Sequence, residues 1–163
     1  MNWDDRWMHM CTEFAQFSKD RSRKTGTVII DPSSQNIVST GWNGFPRGIE
    51  DDVEERHHRP AKYLWSEHAE RNAFYNAARL GRRTEGCTMY IPWYPCSPCA
   101  RAIIQCGIHE LVVIEPDWKD AKWRDDFEVS KEMLDEVVAK GRISVRFYVN
   151  PTFQAPVMLP MTS

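Results

Sequence analysis

The sequence predicts an α/β fold, a three-layer α/β/α sandwich in which helices cover both faces of one sheet. Short β-branched segments alternate along the chain with longer segments whose apolar residues recur every three or four positions. This alternation is typical of a sheet that is covered by helices on both sides. A length of 163 residues corresponds most simply to one domain, 1–163, with an irregular, proline-containing tail from about residue 151.

The first half of the chain predicts two helices separated by a hairpin. Residues 3–19 place aromatic and sulfur-containing side chains on one helical face. Residues 27–30 and 37–40 are mostly β-branched and flank turn-forming residues, so they predict the two strands of the hairpin. Residues 63–80 again show a helical apolar stripe, and Gly81 is placed to end that helix.

The second half predicts three strands that alternate with two helices. Residues 87–91, 111–114 and 143–149 are rich in β-branched and aromatic residues and predict the strands. Residues 99–105 and 126–140 carry apolar residues at helical spacing and predict the helices.

The composition restricts the class of partner. The net charge of −2 provides no overall positive field for binding long nucleic acid, which argues against nucleic acid as a partner. The chain has no run of about 18 apolar residues, so we expect no membrane span. Residues 4–6 are charged where a signal peptide would turn apolar, so this segment does not resemble a signal peptide. Five cysteines, an odd number, favour a reducing compartment and therefore a cytoplasmic location.

His68, Cys96 and Cys99 are spaced as the ligands of a catalytic zinc ion. Three protein ligands leave one coordination position for water, whereas structural zinc sites have four protein ligands. Glu70 lies two residues after the histidine and carries a carboxylate that can move protons. The pattern H-x-E followed by P-C-x-x-C is a known signature of zinc nucleobase deaminases.

Two other interpretations of this pattern involve no deamination. Taken alone, a C-x-x-C is at least as typical of a structural zinc site or a redox pair as of a catalytic zinc site. A zinc-stabilised interaction module would be the non-enzymatic alternative. No good fourth ligand is evident, because His57 and His58 lie in a charged segment. Glu70 also argues against an interaction module, which has no use for a carboxylate beside an open metal position.

Two segments carry a specific resemblance to a known family. Residues 65–73, WSEHAERNA, and residues 94–101, YPCSPCAR, resemble the metal-binding segments of the cytidine and deoxycytidylate deaminase superfamily. Residues 41–46, GWNGFP, and 103–108, IIQCGI, are similar to segments of its deoxycytidylate (dCMP) deaminases. The resemblance runs from about Val28 to Ile114.

The resemblance implies a five-stranded mixed sheet, a Zn²⁺ cofactor and the hydrolytic deamination of dCMP to dUMP with release of ammonia. It implies that His68, Cys96 and Cys99 bind the metal and that Glu70 is the catalytic acid and base. It also implies three substrate contacts, which are the side chain of Asn43, the backbone amide of Ala69 and the carbonyl of Tyr94. A homo-oligomer, either a dimer or a hexamer, and regulation by dCTP and dTTP are implied as well.

Arg47 is the first candidate for binding the phosphate of the substrate. A phosphate requires cationic or backbone donors, and Arg47 lies four residues after Asn43 in the same loop. The basic run 21–24 precedes the neighbouring predicted strand and is the second candidate. Either could also be a solvated charge.

Other deaminases share both metal motifs and remain as alternatives. One alternative acts on adenosine in tRNA or cytosine in single strands, and the charge of −2 disfavours it. The other acts on a free base or nucleoside such as guanine or cytidine, and a comparison of substrates would distinguish it.

Overall fold

The computed structural model describes residues 2–155 and contains a five-stranded mixed sheet with the strand order β2-β1-β3-β4-β5. The strands are β1 (Gly26–Asp31), β2 (Asn36–Trp42), β3 (Thr88–Ile91), β4 (Glu110–Val113) and β5 (Ser144–Phe147). β1 is antiparallel to both β2 and β3, while β3, β4 and β5 are mutually parallel. The predicted α/β class and the implied five-stranded mixed sheet are therefore confirmed.

Within the described part of the chain, five α-helices accompany the sheet. They are α1 (Trp3–Ala15), α2 (Lys62–Trp65), α3 (Ala69–Arg79), α4 (Ser97–Gln105) and α5 (Arg124–Ala139). No helix within residues 2–155 is both long and apolar enough to cross a membrane. Of the predicted irregular tail, only 151–155 are described, and they contain neither helix nor strand; the rest of that prediction lies outside the described residues.

The alternation of side chains along the strands produces one apolar core on each face of the sheet. Ile29, Met89 and Leu111 are register partners and pack under α3, α4 and α5. Their neighbours Val28 and Tyr90 point to the other face, where they pack against α1. This division between the two faces gives the predicted three layers.

The helix predicted for residues 63–80 is interrupted before the first metal motif. α2 ends at Trp65 and α3 begins at Ala69. Between them, Glu67 forms an antiparallel bridge with Gly44, in which each residue donates its N–H to the other's carbonyl at 2.8 and 3.0 Å. Leu64, one of the apolar residues of the predicted stripe, is 89% exposed. The bridge to a distant loop replaces the local helical hydrogen bonds, which periodicity alone does not reveal.

The helix predicted for residues 3–19 ends at Ala15, and an ordered loop follows it. The carboxylate of Asp20 accepts hydrogen bonds from the backbone N–H groups of Ser22 and Arg23 at 2.8 and 3.0 Å. Such side-chain acceptors give the backbone an alternative to helix continuation. The loop therefore leaves α1 and runs towards the start of α3.

β2 and α3 approach each other so closely that only glycine fits at position 41. A Cβ atom there would lie 2.2 Å from the carbonyl oxygen of Ala69 and 2.5 Å from the nitrogen of Ala73. Asn72 and Asn76 of α3 donate to the carbonyls of Trp42 and Thr40 at 2.8 and 2.7 Å. These contacts fix the position of α3, and with it the residues that precede its first turn.

We expect Gly41→Ala to lower the free energy of unfolding by about 2–3 kcal/mol, the upper part of the range for overpacked interiors. Chemical denaturation measures this loss. Gly141→Ala is the control. Gly141 has a φ of +66°, and a Cβ atom added there would meet no other atom within 4 Å. This substitution therefore introduces backbone strain without a steric clash. A Gly41→Ala loss no larger than that of the control would contradict the close contact.

Candidate active site

His68, Cys96 and Cys99 come together although they lie on different segments of the chain. His68 is the N-cap of α3, Cys96 is the N-cap of α4, and Cys99 lies in the first turn of α4. The Nδ1 atom of His68 lies 3.4 Å from the Sγ atom of Cys96 and 3.5 Å from that of Cys99. The starts of the two helices therefore meet at one point, as the sequence motifs predict.

The distances between these atoms fit a tetrahedral zinc ion. With the usual Zn–N and Zn–S bond lengths, a nitrogen and a sulfur ligand are separated by about 3.6 Å. All three ligand atoms lie within 4.8 Å of one another. No further His, Cys, Asp or Glu joins this group among the described residues. The residues present thus fit a metal centre with three protein ligands.

The two thiols also have the electrostatics of a metal site. Hydrogen bonds from Cys99 and from His68 lower the pKa of Cys96 below its usual value, although burial by itself would raise it. The thiolate at Cys96 and burial raise the pKa of Cys99 far above its usual value. The pair therefore holds one negative charge easily and a second one only with difficulty. A divalent cation would supply the positive charge that stabilises both thiolates.

Glu70 lies next to this cluster and is almost completely buried. It is 4% exposed and belongs to the first turn of α3. Burial raises the pKa of its carboxyl group. A carboxyl group whose pKa is shifted towards neutrality can both accept and donate a proton near physiological pH.

Two residues of the cluster, His68 and Cys96, line a cavity of about 490 Å³. The lining also includes Ala69, Glu70 and the aromatic rings of Trp93, Trp123 and Phe127. Ala69 opens α3, and the first backbone N–H groups of a helix have no partner within the helix. The cavity thus offers an apolar wall, a backbone donor and a buried acid in one place, a combination typical of small-molecule sites.

Apart from Glu70, the charged side chains that line the cavity are mostly basic. They are Arg23, Arg59, Lys62, Lys122, Asp20 and Asp120, so that cations exceed carboxylates by two in this set. The guanidinium of Arg23 lies over the ring of Trp93 at 3.7 Å from its centroid. Lys62 contacts both carboxylate oxygens of Asp20, at 2.6 and 2.7 Å. Sequence reasoning assigned no role to Arg59, Lys62 and Lys122, whose segments show no motif.

Asn43 lines the cavity, but its amide is already engaged by the loop that carries Arg23. Its Oδ1 atom accepts from the N–H of Thr25 at 2.7 Å. Its Nδ2 atom donates to the carbonyl of Arg23 at 2.8 Å and to the carboxylate of Asp20 at 3.1 Å. Asn43 therefore holds this loop against the site, and its predicted contact with the substrate stays a prediction.

Arg47, the first candidate for the phosphate contact, lies away from the metal cluster. Its guanidinium donates to the side chain of Asn76, and it lines a separate groove together with Arg79 and Arg82. The loop turns Arg47 towards Asn76 in the second half of α3, whereas His68 lies at the start of that helix. Four residues in a loop fix no direction, and the predicted contact of Arg47 with the phosphate stays a prediction.

Tyr94 is 2% exposed, and its ring packs against Trp118 and Phe127 in the core. The predicted role concerned its backbone carbonyl, and this role stays a prediction. The side chain itself fixes the segment that joins β3 to the metal loop.

The sequence profile of the cytidine and deoxycytidylate deaminase zinc-binding region matches residues 1–115. The chain belongs to this deaminase family. It is 34% identical over 126 residues to human deoxycytidylate deaminase, covering 74% of this chain and 69% of that protein. It is also 34% identical over 147 residues to the probable deoxycytidylate deaminase of Drosophila melanogaster, covering 84% of this chain and 70% of that protein.

A solved structure shares the fold at lower sequence identity. The dCMP deaminase of the cyanophage S-TIM5, crystallised in complex with dCMP and dUMP, matches with a TM-score of 0.67 and 21% identity. The match covers 88% of this chain and 95% of that one. The cytidine-deaminase-like arrangement of helices around the mixed sheet is therefore confirmed.

We expect the purified deaminase to hold one zinc ion per chain through His68, Cys96 and Cys99. Replacing Cys96 by Ala removes one ligand and should abolish retention of the metal during gel filtration, which elemental analysis measures. Cys106→Ala is the matched control, because Cys106 is a free, partly buried cysteine outside the ligand cluster. Two zinc ions per chain, or equal metal loss in both variants, would contradict this ligand set.

Proposed function

We propose that this protein catalyses the hydrolytic deamination of dCMP to dUMP with release of ammonia. The observation that carries the proposal is a His/Cys/Cys cluster beside buried Glu70, which lines a cavity whose other charged lining residues are mostly basic. Relatives at about 34% identity that are named deoxycytidylate deaminases support the choice of substrate.

Zinc bound by His68, Cys96 and Cys99 would supply a Lewis acid that lowers the pKa of a water molecule near the cytosine ring. Glu70 takes a proton from this water as the hydroxyl group adds to C4 of the base. Glu70 gives that proton to N3, and the proton of the added hydroxyl group then passes to the departing amine. Ammonia leaves and the C4 carbonyl forms, so water is consumed and the carboxylate is regenerated.

The cavity provides separate contacts for the base and the phosphate. The apolar rings of Trp93 and Phe127 offer a wall for the pyrimidine, and the N–H of Ala69 is a donor for its carbonyl. Among the charged lining residues other than Glu70, the two positive charges in excess match a phosphate monoester, which carries about −1.5 to −2 near neutral pH. Arg23 is the preferred phosphate contact, because Asn43 and Trp93 fix its backbone and its guanidinium.

Glu70→Gln should retain zinc and fold but lose at least about 100-fold in kcat, the lower limit for a positioned acid and base. Glutamine has a similar shape but cannot take up or release the proton. Steady-state assays of ammonia release measure the loss, and Glu13→Gln, at an exposed position of α1, is the control. A Glu70→Gln enzyme with more than a tenth of the wild-type rate would refute the role.

Arg23→Met should lower kcat/KM for dCMP by about 10–150-fold, which corresponds to the 1.5–3 kcal/mol of a hydrogen bond to a charged group. The rate on deoxycytidine, which lacks the phosphate, should be nearly unchanged. Arg47→Met serves as the control, because Arg47 lines a different groove. Equal losses on both substrates would mean that Arg23 supports the loop instead of the phosphate.

A substrate panel tests the function as a whole. Ammonia release should be fastest with dCMP when compared with CMP, deoxycytidine, cytidine, cytosine, guanine and tRNA. Equal rates on dCMP and deoxycytidine would favour a nucleoside deaminase, and a preference for tRNA would favour the nucleic-acid alternative. Loss of ammonia release after removal of zinc by a chelator, with recovery on re-addition, would exclude the non-enzymatic alternative.

A homo-oligomer, a dimer or a hexamer, is part of the proposal. Several large apolar side chains are exposed among the described residues, including Phe17 at 62% and Leu64 at 89%. Light scattering that gives a monomer mass at micromolar concentration would contradict it. Regulation by dCTP and dTTP is the corresponding proposal for effectors, and dCMP saturation curves that neither nucleotide shifts would refute it.

A further inference from the structure

The helix that carries both cysteine ligands begins without the usual side-chain cap. Cys96 occupies the N-cap position of α4, and its side chain makes no capping hydrogen bond. An N-cap side chain normally accepts a hydrogen bond from one of the first free N–H groups of its helix. The Sγ atom of Cys96 instead faces the other residues of the cluster and lies 3.4 Å from the Nδ1 atom of His68. The start of α4 must therefore be stabilised from elsewhere.

α5 supplies the missing acceptor. The Oδ2 atom of Asp126 accepts from the backbone N–H of Ser97 at 2.9 Å, and its Oδ1 atom accepts from the hydroxyl of Ser97 at 2.6 Å. Asp126 lies in the first turn of α5, 29 residues after Ser97 in the sequence. It thus acts as an N-terminal cap of α4 from another helix.

One turn later, α5 also holds Pro95, the residue on the other side of Cys96. The buried hydroxyl of Ser130 donates to the carbonyl of Pro95 at 2.8 Å. Positions i and i+4 lie on the same face of a helix, so Asp126 and Ser130 reach the residues on either side of Cys96. Between them, Phe127 packs against Trp93 and Tyr94 at ring distances of 6.1 and 5.5 Å.

We propose that Asp126 and Ser130 are positioning residues that hold Cys96 in place for metal binding. They act through the backbone of Pro95 and Ser97 and touch neither the metal nor the substrate. The orientation of the Cys96 Cα–Cβ bond is set by the peptide groups that flank it, and α5 fixes both of them. The zinc affinity of the site thereby depends on how firmly α5 is docked. The proposal rests on the proposed metal centre and is independent of the substrate.

The test is the rate at which zinc passes from the full-length protein to a coloured chelator in excess. Asp126→Ala and Ser130→Ala should release zinc about 10–100-fold faster than wild type, the range for residues that orient metal ligands. Asp126→Asn should have a smaller effect, because an amide can still accept from the Ser97 N–H and donate to its hydroxyl. Asp125→Ala, which removes an exposed carboxylate from the same turn, should stay within twofold of wild type.

Thermal unfolding with and without zinc separates positioning from simple stabilisation of the fold. We expect the rise in melting temperature caused by zinc to be smaller in Asp126→Ala and Ser130→Ala than in wild type. The proposal would be overturned if these variants lowered the melting temperature equally with and without zinc and released zinc at the wild-type rate. A wild-type protein that binds no zinc would instead refute the metal centre. If Asp126→Ala does not fold, Ser130→Ala and Asp126→Asn decide the outcome.

Discussion

The convergence of two helix N-termini on one point is the constraint on which the rest of this structure depends. His68 and Cys96 are the N-caps of α3 and α4, and neither side chain caps its helix. Each helix start is instead stabilised by a carboxylate from outside the helix. Glu67 accepts from the N–H of His68 at 2.9 Å, and Asp126 accepts from that of Ser97. The side chains that would ordinarily cap the helices are therefore left to form the metal cluster.

The sheet determines where these two helix starts lie. α4 follows β3 directly and leads into parallel strand β4, so its N-terminus lies at the carboxyl end of β3. Open α/β sheets commonly bind their ligands at that edge. α3 reaches the same edge because Gly41 allows its backbone to contact β2. The metal cluster is thus a consequence of one crossover and one close helix–strand contact.

The proposed phosphate contact is held by segments other than those that carry His68, Cys96 and Cys99. The loop that follows α1 brings Arg23 to the cavity, and this loop is held there by Asn43 and by the ion pair between Asp20 and Lys62. Asp20 is deeply buried, so its carboxylate requires the ammonium of Lys62 and the backbone donors of the loop. The predicted phosphate contact thereby depends on three segments that are far apart in sequence.

The sequence by itself determined the α/β class and singled out Glu70 and the three residues His68, Cys96 and Cys99 that come together in the fold, because spacing in a motif and periodicity of apolar residues are local properties. It also named the basic run that contains Arg23, although only as the second candidate for the phosphate. Only the tertiary structure decided that Arg47 points to Asn76, that residues 66–68 leave the helix, and that Asp126 caps α4. Each of these depends on a hydrogen bond between residues that are far apart in the chain, and no local pattern specifies such a partner.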